Sequence, residues 1–143
     1  MAWTDWQNKH TANLWTAALD ELQAGIEAFA ARSLAGTSWR IERTAWDSPD
    51  ITLIWTANGL ERNVHLYLTG SEWPLELHYE GAAWSDEAEE RNLSTWPPRR
   101  SQGIVPLQDM ADLRKSLDRD LPVAVNNVNG LALQRAAGGQ PPL

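Results

Sequence analysis

Between two runs in which apolar and polar residues alternate, 50–57 and 60–69, lies the dipeptide Asn58-Gly59. Both residues tolerate positive φ, so they suit the two-residue type I′ turn that matches the twist of paired strands. A hairpin closed there pairs Ala57 with Leu60. Leu53 then falls opposite Val64 and Ile51 opposite Leu66, while Thr52 and His65 meet on the other face. The two apolar faces agree, and a slip of one residue would turn both to solvent.

The same period of two continues on either side of this hairpin. Strands are predicted over 38–46, 50–57, 60–69 and 75–84, joined by Asp47-Ser48-Pro49, by Asn58-Gly59 and by a longer turn, 70–74. Pairing Leu68 with Leu75 carries the apolar face into the fourth strand. The first strand mixes Arg43 with Trp39 and Ile41 on one face, which suits an edge.

Upstream the spacing changes to that of a helix. Leu14, Ala18, Leu22, Ile26 and Phe29 line one face of a segment running from Thr4 to Arg32. Thr4 and Gln7 form a capping box, and Gly36 supplies the stop; Gly25 is a mild interior weakness. Trp6 and His10 extend the stripe backwards, and His10 is read as a partly buried side chain with one hydrogen bond.

A second helix is predicted from about Pro106 to Leu121, with Leu107, Met110, Leu113, Leu117 and Leu121 on one side. Residues 122–131 read either as a short helix ended by Gly130 or as a fifth strand through Val123 and Val125. Segment 85–105 reads as an ordered loop, with Ser85 able to cap a short acidic helix through Leu93.

These elements imply an α+β fold, with an N-terminal helix packed on one face of a four-stranded antiparallel meander, or a five-stranded one, and a C-terminal helix. One domain over 1–135 is expected, with a flexible glycine- and proline-rich tail over 136–143.

Composition narrows the functional classes. No cysteine is present, so disulfides, thiolate metal sites and cysteine nucleophiles are excluded. With no apolar leader and no long apolar run, a cytoplasmic protein that does not enter a membrane is expected, and Asn92-Leu93-Ser94 reads as a chance glycosylation match. The net charge of -7 opposes binding to nucleic acid or anionic lipid and favours a basic protein partner.

Nine tryptophans stand against one phenylalanine and two tyrosines, an excess of side chains that serve cores and interfaces alike. Trp55 points by parity at the helix. Trp73, Trp84 and Trp96 fall at turns and a loop, where anchors for a partner are as natural as core contacts. Trp96-Pro97-Pro98-Arg99-Arg100 reads as an extended recognition strip, or as a rigid loop whose arginines pair with Asp86, Glu87, Glu89 and Glu90.

Chemistry is sparser. The predicted third pairing places His65 directly opposite His78 on the face away from the helix, flanked by Glu76 and Glu80, with Tyr67 and Asn63 nearby. Such a set could bind zinc or pair an imidazole with a carboxylate for acid–base work. The plainer reading is a solvated face, since alternation alone puts polar residues there. No motif for a nucleophile, a phosphate loop or a calcium loop supports an enzyme, and no cofactor is otherwise implied.

The function expected is therefore a small acidic protein-binding module of immunity, adaptor or chaperone type, holding its partner through Trp73, Trp84, Trp96, Arg99 and Arg100. A metal-dependent or acid–base enzyme working at His65, His78, Glu76 and Glu80 is the alternative, and a sugar-stacking module comes last. An uncovered sheet face and two edges also make a homodimer an expectation.

Overall fold

The computed structural model describes residues 2–44, 49–84 and 103–136. Helix α1, Ala2–Ser33, is followed by strands β1, Ser38–Thr44, β2, Asp50–Ala57, β3, Leu60–Thr69, β4, Leu75–Trp84, and β5, Gly103–Leu107; helix α2, Met110–Ala136, closes the order. The five strands form one antiparallel sheet in the order β1-β2-β3-β4-β5.

Alternation sorts the side chains of this meander as the chemistry requires. Ile51, Leu53 and Trp55 of β2, Val64, Leu66 and Leu68 of β3, Leu77 and Tyr79 of β4 and Leu107 of β5 join one buried cluster. Leu19, Leu22, Ile26 and Phe29 of α1 and Leu113, Leu117, Leu121, Val125 and Val128 of α2 enter the same cluster, so both helices cover one face. The other face carries no helix of the described residues.

The Asn58-Gly59 turn forms as its residues dictate, with φ of 55° and 74°, and the β2–β3 register is Ala57↔Leu60, Leu53↔Val64 and Thr52↔His65. The β3–β4 register differs from the predicted one. Leu68 pairs with Leu77, not Leu75, and His65 pairs with Glu80, not His78. A slip of two residues preserves which face each side chain occupies, so alternation carries no information against it. Tertiary contacts from α1 act on the connection instead: Thr11 donates to the Ser71 carbonyl at 3.1 Å and the Trp15 indole to the Gly70 carbonyl at 3.0 Å.

The second helix also differs from expectation. Pro106 lies in β5, paired with Glu76, and the helix begins at Met110. Asp109 accepts from the Asp112 backbone N–H at 3.0 Å, a side-chain cap on the first turn. At the other end α2 runs through Pro122 to Ala136, so 122–131 is neither a separate short helix nor a strand, and Ala136 belongs to the helix. Proline inside a helix costs about 3 kcal/mol. The apolar stripe continues past it through Ala124, Val125 and Val128, all buried. Burial of two valines, about 1.5 kcal/mol or more each, offsets that cost.

The helix α1 starts at Ala2, which places Thr4 within its first turns and not at the cap. Gly25 marks the crossing of the helices: a Cβ there would come within 2.5 Å of Leu117 Cδ1. Arg114 of α2 grips Glu21 of α1 at the same side, its Nη2 2.8 Å from Oε1 and its Nε 3.1 Å from Oε2. That guanidinium holds the Glu21 carboxyl below its ordinary value. The predicted positions 45–46 of the first strand, residues 85–102 of the loop expected over 85–105, and residues 137–143 lie outside the described residues; residues 103–105 of that loop belong to strand β5.

Candidate functional site on the open sheet face

The sheet face that carries no helix among the described residues presents its side chains in rows across the strands, with Ile54 of β2 buried on it. Glu42, Thr52, His65 and Glu80 form one row; Asp50, Tyr67, His78 and Ile104 form the next. Thr69, Glu76 and Pro106 make a third row toward the β3–β4 turn. Arg40, Ile54 and Asn63 lie on the opposite side of the first.

Aromatic and imidazole rings occupy the middle of this surface. Tyr67 and His78 stack with ring centroids 4.5 Å apart and planes at 9°, and His65 lies 5.3 Å from Tyr67 at 31°. Tyr67 therefore sits between the two imidazoles that the predicted register set side by side. The ring stack is fixed from its rim: the Tyr67 hydroxyl donates to Glu80 Oε1 at 3.2 Å, and Thr69 Oγ1 and His78 Nε2 share a hydrogen bond of 3.1 Å. His65 Nε2 lies 3.7 Å from Asp50 Oδ1. Partial burial raises the Tyr67 pKa, and the charge and hydrogen bond of Glu80 raise it further. Beyond His78, Ile104 is 61% exposed, an apolar side chain left open at the end of the row.

The observed β3–β4 pairing separates the zinc ligands expected from the sequence. His65 faces Glu80, His78 faces Tyr67, and Glu76 faces Thr69. Among the described residues no group of three or more His, Asp or Glu side chains comes close enough to hold a metal ion. What the arrangement offers is a stacked, hydrogen-bonded pair of rings with carboxylates near it.

Of the tryptophans read as contact residues, Trp73 is partly buried and packs against the core. Trp84 ends β4 opposite Glu61. Trp96, Arg99 and Arg100 lie outside the described residues. Trp55 is buried, as parity required.

Two polar groups inside the core were not singled out from the sequence. Arg62 is only 9% exposed on the helix side of β3. Its Nη1 donates to Asn129 Oδ1 at 2.7 Å and its Nη2 to the Ala57 carbonyl at 3.2 Å, while the Trp55 indole donates to the same Asn129 oxygen at 3.3 Å. Burial pushes the Arg62 pKa down. The signal available was parity, which assigns Arg62 to the same face as Val64 and Leu66. The second group joins Tyr79 to α2: its hydroxyl lies 2.9 Å from Ser116 Oγ, which donates to Asp120 Oδ2 at 2.8 Å. Arg119 pairs with Asp120 through two bonds of 3.0 Å.

Comparison with family models, curated proteins and solved structures finds no match. Among the described residues no helix is long and apolar enough to cross a membrane.

Proposed function

We propose that the chain is a non-catalytic protein-binding module that receives a basic, extended segment of a partner protein on the open face of the sheet. The carrying observation is the composition of that face. Among the described residues, Glu42, Asp50, Glu61, Glu76 and Glu80 occupy it against the single guanidinium of Arg40, around the stacked rings of Tyr67 and His78, with Ile104 exposed at the β5 edge. Apolar and aromatic centres with a charged rim are the usual anatomy of a recognition surface, and the rim selects a partner of opposite sign. The overall charge of -7 works in the same direction.

The contact surface proposed is thus centred on Tyr67 and His78. Trp73, resting on the core, serves the fold before it serves a partner. Peptide arrays of extended sequences with graded lysine and arginine content test the reading directly. Basic peptides are expected to bind, with affinity falling as salt rises. Tyr67→Ala and Glu80→Lys are each expected to weaken that binding about tenfold or more, as for residues in the centre and rim of an interface. Equal binding of acidic and basic peptides, or variants that bind like the wild type, would contradict it.

A further inference from the structure

The two edges of the sheet are unlike. At β5 the edge is five residues long and contains Pro106, which has no N–H to offer a further strand. At β1 the edge is seven residues long, Ser38–Thr44, and contains no proline. Among the described residues no strand lies beyond β1, so its outward N–H and C=O groups are a template for another strand.

The side chains of β1 have a symmetry that specifies which strand. Ile41 is its midpoint, with Arg40 and Glu42 on either side of it, both on the open face and 56% and 64% exposed. A two-fold axis through Ile41, perpendicular to the sheet, lays a second β1 antiparallel against the first. Arg40 then faces Glu42 of the second copy and Glu42 faces its Arg40, so both charged pairs are opposite in sign. On the helix side Trp39 falls opposite Arg43. Charges on an edge usually discourage pairing; these two repel at no position in this register.

On the helix side, Arg43 of β1 is bonded to Asp20 and Gln23 of α1, which ties that helix to the edge strand.

We infer that two copies of this chain associate through β1 into one continuous ten-stranded sheet, with Arg40 and Glu42 setting the register. An isologous contact of this kind closes on itself and leaves no free β1 edge for further growth. It is centred away from Tyr67, His78 and Ile104, and it is read by the mass of the chain in the absence of any peptide, so its failure is distinguishable from failure of the peptide-binding reading.

Charge reversal in pairs gives the test. At about 100 μM, above the dissociation constant of an ordinary dimer, sedimentation equilibrium of the full chain should give twice the 16.0 kDa monomer mass. Arg40→Glu sets a carboxylate against Glu42 of the second copy on both sides of the axis, and Glu42→Arg does the same with guanidinium groups. Each variant alone should dimerise at least tenfold more weakly. An equimolar mixture should recover the wild-type affinity as a heterodimer, because every carboxylate then faces a guanidinium. Pairing within one chain cannot produce that recovery. Should a reversal unfold the chain, Glu42→Gln, which removes the charge without inverting it, should still weaken the dimer. A wild type that stays at 16.0 kDa, variants that dimerise like it, or a mixture that remains monomeric would each overturn the inference.

Discussion

Ser116 is fully buried and bridges β4 to α2, with Tyr79 on one side and Asp120 on the other. Replacing it with alanine leaves the Tyr79 hydroxyl buried without that partner, a loss of about 1–3 kcal/mol that urea unfolding would measure. Burial, opposed only in part by the Ser116 hydrogen bond, pushes the Tyr79 pKa up to about 12. The fold favours the neutral phenol, so this stabilisation is complete below the ordinary tyrosine value of about 10. It is lost as pH rises from there through about 12. The unfolding midpoint should fall across that window, and Tyr79→Phe should flatten the fall. Asp120 behaves in the opposite sense: Arg119 first, and Ser116, hold its pKa low, so its contribution is lost as pH falls through the folded value. Neither network was evident in the sequence, because Tyr79 and Ser116 are 37 positions apart and alternation says only that Tyr79 faces the helices.

At the scale of elements, strands β2, β3 and β4 are found where the period of two predicted them, since half-buried strands must alternate and Asn58-Gly59 fixes the turn. The pairing of β3 with β4 was not legible. Two registers that differ by two residues bury the same side chains, so alternation cannot choose between them; in the observed one Thr11 and Trp15, far away in sequence, bond the turn. That single ambiguity created the apparent His65–His78 site. Pro122 misled for a related reason: a local breaking signal was outweighed by burial of Val125 and Val128. Gly25 likewise reads locally as a weakness but sits where α1 meets Leu117. Gly25→Val is expected to displace the buried Leu117 side chain and cost about 1–3 kcal/mol in chemical denaturation, the range for overpacked cores.

For the whole molecule, the decisive asymmetry is that both helices lie on one face of the sheet. One side of the sheet closes the core; the other presents the Tyr67–His78 stack with carboxylates on β1 to β4 near it and Ile104 at the β5 edge. Edge association through β1 would double the length of that acidic surface without covering its centre. The most direct measurement is amide chemical-shift mapping on the full chain during titration with a lysine- and arginine-rich extended peptide. The expected result is a set of shifts confined to the open-face rows around His65, Tyr67, His78, Glu80 and Ile104, abolished by Tyr67→Ala. Shifts centred on the solvent side of α1 or α2, or none at saturating peptide, would contradict the assignment of this face as the contact surface.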